Sequence, residues 1–99
     1  MQYAYEAAVT DENGITIHPD FTFEDSDAGI TYYWEHLGLL TKDDYRSKWV
    51  RKQEWYKRNG IVDRRENPLA RKQLIITWDK PDGGIDASGI RKLIMEIMA

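Results

Sequence analysis

The chain has 99 residues and a net charge of −3 at pH 7, with four Trp, six Tyr and two Phe. It contains no Cys, which excludes disulfides and thiolate metal sites. Its length allows one modest core, and no apolar run has the length of a membrane span or the pattern of a signal peptide. We therefore expect a single cytoplasmic domain over residues 1–99.

Charge is distributed unevenly along the chain. Residues 1–41 contain eight acidic residues and no Lys or Arg, whereas residues 42–72 contain eleven basic residues against five acidic ones. An acidic half beside a basic half is typical of a metal site next to a phosphate-binding surface. The alternative is that helices simply carry Lys and Arg on their exposed faces.

The first part of the chain predicts three strands. Apolar and polar residues alternate over Met1–Thr10 and over Ile15–Glu24, and a β-rich segment follows over Ile30–Leu37. The first two segments are separated by residues 11–14, which end in Asn-Gly, and the last two by the acidic turn at residues 24–29. Short turns between consecutive strands predict an antiparallel meander.

The pattern then changes to that of a helix. Thr41 can cap a helix that continues to about Arg58, and the following Asn-Gly pair ends it. Along this helix, Tyr45, Trp49, Lys52 and Tyr56 occupy one face. A lysine thus lies within an aromatic stripe that should pack on the sheet, with Lys48 on its flank.

The rest of the chain predicts one more strand and one more helix. Residues 61–72 form an irregular basic connection, and residues 73–79 form an apolar strand. A final helix begins near Asp86 or Ser88 and has an apolar stripe. The predicted order is βββαβα, an α+β fold.

Two carboxylates are the candidate catalytic groups. Asp20 and Glu35 lie on neighbouring predicted strands, and Glu35 follows three aromatic residues, where an acid is costly unless a cation or a partner offsets it. Facing carboxylates repel each other unless a divalent cation lies between them. The alternative for Asp20 is a solvated acid, since Pro19 interrupts strand pairing.

Other polar residues are candidates for supporting roles. The ammonium of Lys52 can either reach the two carboxylates or stay in water at the end of a buried stem. His18 shares a predicted face with Asp20 and could support the site or contact phosphate, whereas His36 points away from Glu35. Basic residues of the helix and of the connection after it form a candidate surface for the DNA backbone, with a solvated loop as the alternative. They are Lys48, Lys57, Arg58, Arg64 and Arg65, followed by Arg71 and Lys72.

These motifs resemble a known family. His-Pro-Asp-Phe at 18–21, Tyr-Tyr-Trp-Glu-His-Leu-Gly at 32–38, the aromatic-lysine helix and Leu-Ile-Ile-Thr at 74–77 are together similar to PD-(D/E)XK nuclease-like domains. The similarity is to the type found beside superfamily 1 helicases and in very-short-patch-repair-like endonucleases. It covers nearly the whole chain and implies a restriction-endonuclease-like core.

The resemblance implies a metal-dependent deoxyribonuclease. Asp20 and Glu35 would bind Mg²⁺ or Mn²⁺, and the partners would be DNA and a helicase or another domain of a parent protein. Leu37 stands where the family usually has its lysine, and Lys52 matches a position to which that lysine can move. The family's first helix is absent before the first strand, so this is either an excised domain or one that borrows that helix.

Two other functions are compatible with the sequence. One is a catalytically silent module on the same fold that binds nucleic acid or docks a protein, which the two departures favour. The other is a small αβ interaction domain unrelated to nucleases, which leaves the lysine in the aromatic stripe and the placement of Glu35 unexplained.

Overall fold

A computed structural model of the chain describes residues 2–38 and 43–78, together with Lys92, Met95 and Glu96. Within these residues there are seven strands and one long helix. Their bounds are β1 Gln2–Tyr5, β2 Val9–Thr10, β3 Thr16–Ile17, β4 Phe21–Asp25, β5 Ile30–Leu37, α1 Asp43–Arg58, β6 Val62–Asp63 and β7 Lys72–Trp78.

The main sheet has five strands in the order β1-β4-β5-β7-β6. β1, β4 and β5 are antiparallel neighbours, which confirms the predicted meander. β7 pairs in parallel with β5, and α1 lies in the connection between them, as a parallel pair requires. The fold is therefore a mixed α+β domain, as predicted.

Two predicted strands are each broken into two. The segment predicted over residues 1–10 is interrupted by Glu6, which has a φ of 50°, outside the strand region. The segment predicted over residues 15–24 is interrupted near Pro19, which lacks a backbone N–H for pairing. The two interruptions meet, because the Glu6 N–H donates to the Asp20 carbonyl at 3.1 Å.

Between the two interruptions, β2 and β3 form a separate short hairpin. Its turn is the predicted one at residues 11–14, where Oδ1 of Asp11 accepts hydrogen bonds from the N–H groups of Asn13 and Ile15. Gly14 has a φ of 80°, which glycine adopts without strain. The side chain of Trp55 donates to the Ile15 carbonyl at 3.1 Å and so ties the hairpin to α1.

Helix α1 ends where the sequence predicts. Its last residue is Arg58, and Gly60 follows with a φ of 72°. The N–H of Ile61 then donates to the carbonyl of Tyr56 at 3.0 Å, which satisfies an end carbonyl of the helix. The predicted cap at Thr41 and the side chain of Tyr45 lie outside the described residues.

After α1, the structure differs from the prediction at one place. The connection predicted to be irregular contains β6, which pairs in parallel with β7. A two-residue strand is too short to produce a periodic sequence pattern. Strand β7 is as predicted to within one residue. The predicted last helix lies outside the described residues except for Lys92, Met95 and Glu96, which are helical and exposed.

The alternation along β5 divides the core into two clusters. On the α1 side, the buried residues are Leu37, Trp49, Trp55, Tyr56, Ile61 and Leu74. On the other side, the buried residues are Tyr32, Trp34 and Ile75, with Phe23 and Ile30 against them. Because side chains alternate across a strand, Glu35 shares the α1 side with Tyr33 and Leu37. The sheet thereby directs the carboxylate towards the helix.

Candidate active site

Glu35 is the most deeply buried acid among the described residues, with 3 % of its surface exposed. It lies near the end of β5, between strands on both sides. Burial raises the pKa of Glu35 above its ordinary value, and the hydrogen bonds that it accepts from Tyr56 and Lys52 oppose that rise. A carboxylate in such a place depends on its partners.

Lys52 is the cationic partner of Glu35. Its Nζ lies 2.9 Å from Oε1 and 2.9 Å from Oε2 of the carboxylate. The same ammonium donates to the carbonyl oxygen of His18 at 2.9 Å. The Lys52 side chain is 24 % exposed. Of the two arrangements that the sequence left open, the structure has the one in which the ammonium reaches the carboxylate.

Tyr56 is the second partner, and it was missed as a site residue. Its hydroxyl donates to Oε2 of Glu35 at 2.5 Å. Tyr56 lies one turn beyond Lys52 on the same helix face, so both groups meet the carboxylate from α1. The sequence placed Tyr56 in the aromatic stripe, but a tyrosine in a core stripe is usually there for its ring. The feature that could have identified Tyr56 as a site residue is its hydroxyl, because a buried tyrosine hydroxyl needs a hydrogen-bond partner.

Asp20 lies immediately before β4. The pairing of Phe21 with Trp34 brings it beside Glu35, as predicted from the meander. Oδ2 of Asp20 accepts a hydrogen bond from the backbone N–H of His36 at 2.7 Å. The negative charge of Asp20 contributes to raising the pKa of Glu35. The two carboxylates therefore interact electrostatically across neighbouring strands.

The two histidines have different surroundings. His18 is exposed, its Nδ1 lies 3.2 Å from the Glu6 carbonyl, and it contacts Lys52 through its own carbonyl oxygen. Its described link to the site is thus through the backbone. His36 points away from Glu35, as predicted, and its Nδ1 lies 2.7 Å from the hydroxyl of Thr77.

The predicted DNA-contacting residues fall into two groups. Lys48, Lys57 and Arg58 are exposed on α1. Arg65 instead pairs with Asp63 at 2.7 Å, and its guanidinium lies 5.0 Å from the Trp78 ring. Arg64 is half-buried, and its charge acts on Tyr32, on the side of the sheet away from Glu35. Four of these five residues are therefore exposed, and one of these, Arg65, is already paired with Asp63.

No protein-family model, curated protein or solved structure matches this chain. Among the described residues, no helix has both the length and the apolar character needed to cross a membrane.

The candidate ligands are oxygen donors, the type that hard divalent cations prefer. Among the described residues, no three His, Cys, Asp or Glu side chains form a metal-binding group. Mg²⁺, however, keeps several of its waters and is usually held by one or two carboxylates. Asp20 and Glu35 provide two carboxylates on adjacent strands, and oxygen is the ligand that Mg²⁺ and Mn²⁺ prefer.

The raised pKa of Glu35 predicts a pH-dependent term in stability. The folded protein binds the Glu35 proton more tightly than the unfolded chain does, so this term is fully present below the ordinary value of 4.5 and is lost as pH rises through the folded pKa. Glu35→Gln removes the titration. We expect the parent to lose stability relative to this variant across that window in urea unfolding, and parallel pH curves would contradict it.

Proposed function

We propose that this domain hydrolyses phosphodiester bonds in DNA with the help of a divalent metal ion, as an endonuclease of the PD-(D/E)XK type. The observation that carries the proposal is the convergence of Asp20, Glu35 and Lys52, which come from the start of β4, the end of β5 and the middle of α1. A buried acid whose pKa is perturbed by burial and by specific charged partners is a candidate for a functional site.

The order of the elements supports the same proposal. Three antiparallel strands, a crossover helix and a strand parallel to the third are the arrangement expected of a restriction-endonuclease-like core. The β2–β3 hairpin and β6 are additions to that order. The candidate residues lie where β4, β5 and α1 meet. Pairing of β4 with β5 fixes the positions of the two strands at that point.

In the proposed reaction, Asp20 and Glu35 hold the ion through carboxylate oxygens. The bound ion would activate a water molecule and offset the charge on the phosphate. Hydrolysis adds the water oxygen to phosphorus and breaks one P–O ester bond, and the leaving alkoxide takes up a proton. Lys52, already directed at Glu35 by the His18 carbonyl, orients the water or stabilises the negative charge that develops.

Glu35→Gln tests the proposal directly. We expect the parent to cleave DNA only with Mg²⁺ or Mn²⁺, and Glu35→Gln to cleave at least about a thousandfold more slowly, because a neutral amide is a poor metal ligand. Glu24→Gln is the matched control, since Glu24 is exposed on β4. Cleavage by Glu35→Gln at the parent rate would overturn the assignment.

Two arginines allow the DNA surface to be tested. Arg58→Ala is expected to weaken binding to any DNA sequence and to lower the salt dependence of log K by about one, as loss of a phosphate contact does. Arg65→Ala is the matched comparison, with a smaller effect because Asp63 already holds its guanidinium. Binding measured against salt concentration decides, and equal effects of the two changes would contradict the prediction.

A second candidate is a catalytically silent module that binds nucleic acid or a protein. Both carboxylates already have partners within the protein, which favours this candidate. Lys52 and Tyr56 donate hydrogen bonds to Glu35, and Asp20 accepts one from the backbone of β5. Such a network can be structural without a metal. If the domain binds metal, Mn²⁺ should raise its melting temperature, whereas the melting temperature of a silent module should not change. Association with a helicase and a cytoplasmic location remain predictions from the sequence.

A further inference from the structure

The two partners of Glu35 differ in how freely they can move. Tyr56 has 1 % of its surface exposed, and its ring packs edge-on against Trp55 and Tyr33, with centroid distances of 5.5 and 5.9 Å. Lys52 is 24 % exposed at the end of a flexible side chain. The hydroxyl of Tyr56 is thus fixed by packing, whereas the ammonium of Lys52 can shift.

The two carboxylate oxygens of Glu35 therefore have different surroundings. Oε2 accepts the hydrogen bond from Tyr56 and lies 2.9 Å from Nζ of Lys52, whereas Oε1 accepts the hydrogen bond from Lys52. If an ion displaced the ammonium of Lys52, Oε2 would still be held by the buried hydroxyl of Tyr56. A buried donor that loses its acceptor carries a large desolvation cost, so rotation of the carboxylate away from Tyr56 is opposed.

We propose that Tyr56 is a positioning residue that makes Glu35 bind a metal through Oε1 alone and thereby favours Mg²⁺ and Mn²⁺ over Ca²⁺. The inference rests on the proposed metal site. Ca²⁺ accepts bidentate carboxylates in a large and flexible coordination shell, whereas Mg²⁺ requires a small octahedral one. Because the Tyr56 hydrogen bond already uses one lone pair of Oε2, Oε1 is the stronger donor of the two, and binding through one oxygen suits the smaller ions.

Removal of one hydroxyl tests the inference. Tyr56→Phe keeps the ring and its packing but releases Oε2, and Tyr33→Phe removes the hydroxyl of the neighbouring tyrosine as a matched control. Mn²⁺ and Ca²⁺ are titrated separately into the parent and both variants by calorimetry. We expect the ratio of Ca²⁺ affinity to Mn²⁺ affinity to rise about tenfold in Tyr56→Phe, as loss of a hydrogen bond to a charged group permits, and to stay unchanged in Tyr33→Phe.

The outcomes separate this inference from the function on which it rests. An unchanged ratio in a folded Tyr56→Phe that still binds Mn²⁺ overturns the role of Tyr56 and leaves the nuclease proposal standing. Absence of Mn²⁺ binding by the parent overturns both.

A second measurement needs no folded Tyr56 variant. The infrared carboxylate bands of the parent labelled with ¹³C-glutamate, recorded with and without Mn²⁺, distinguish one-oxygen from two-oxygen coordination at Glu35, because the other proposed ligand is an aspartate. We expect the wide band separation of one-oxygen binding, and the narrow separation of two-oxygen binding would overturn the inference.

Discussion

Replacing Lys52 with methionine is expected to lower the free energy of unfolding at pH 7 by about 3 kcal/mol, because it leaves the Glu35 carboxylate buried without its cation. Methionine keeps an unbranched stem, so packing along α1 changes little. Glu35 is 3 % exposed, and the ammonium contacts both of its oxygens. Urea unfolding of the parent and the variant measures the loss. Arg51→Met, on the exposed side of the same helix, is the matched control and should change stability little.

The double variant Lys52→Met with Glu35→Gln identifies the cause of that loss. If the unpaired charge is responsible, adding the second change should restore most of the stability, because both charges are then gone. Strictly additive effects of the two single changes, or a loss for Lys52→Met no larger than for Arg51→Met, would mean that the pair contributes little. Either result would contradict the description of Lys52 as the partner on which buried Glu35 depends.

The substitution Asp20→Asn is expected to separate the structural role of this residue from its chemical role. Its amide oxygen can still accept the hydrogen bond that the His36 N–H gives to Asp20 at 2.7 Å. The fold should therefore survive, whereas cleavage should fall at least about a thousandfold through loss of a metal ligand. DNA cleavage and urea unfolding are both measured.

Asp20→Ala is the comparison for Asp20→Asn. It removes the acceptor as well as the charge, so it should lose cleavage equally and in addition cost about 1–3 kcal/mol of stability for the unpaired N–H. If Asp20→Asn instead cleaves as fast as the parent, Asp20 is a structural acceptor just before β4 and not a metal ligand.

The parts of the fold that were predicted correctly are those with long periodic patterns. β5 has the predicted bounds at Ile30–Leu37, and α1 ends at the predicted Arg58, because eight and sixteen residues are enough for periodicity and an end signal. The interruption of strand pairing at Pro19 followed from its missing N–H, but the break at Glu6 was missed. The backbone of Glu6 bonds to Asp20, in a distant part of the chain, and no local pattern predicts that contact.

The sequence predicted which residues of the candidate site lie near each other, but not all of their contacts. Strand pairing brings Asp20 beside Glu35, and helix periodicity directs Lys52 to the sheet, so their proximity followed from local patterns. Two contacts did not follow, namely the hydroxyl of Tyr56 on Glu35 and the ammonium of Lys52 on the His18 carbonyl. Both contacts depend on how α1 packs on the sheet. The spacing of residues along a single helix or strand does not determine that packing.

A calorimetric titration with Mn²⁺ shows whether the protein binds a metal ion through Glu35. The parent and Glu24→Gln should bind the ion, and Glu35→Gln should not, because the proposed site loses a carboxylate ligand at Glu35 and keeps all of its ligands when Glu24 changes. We expect Mn²⁺ binding by the parent and by Glu24→Gln, and none by Glu35→Gln. A parent that binds no Mn²⁺, or a Glu35→Gln variant that binds it as well as the parent, would contradict the metal site.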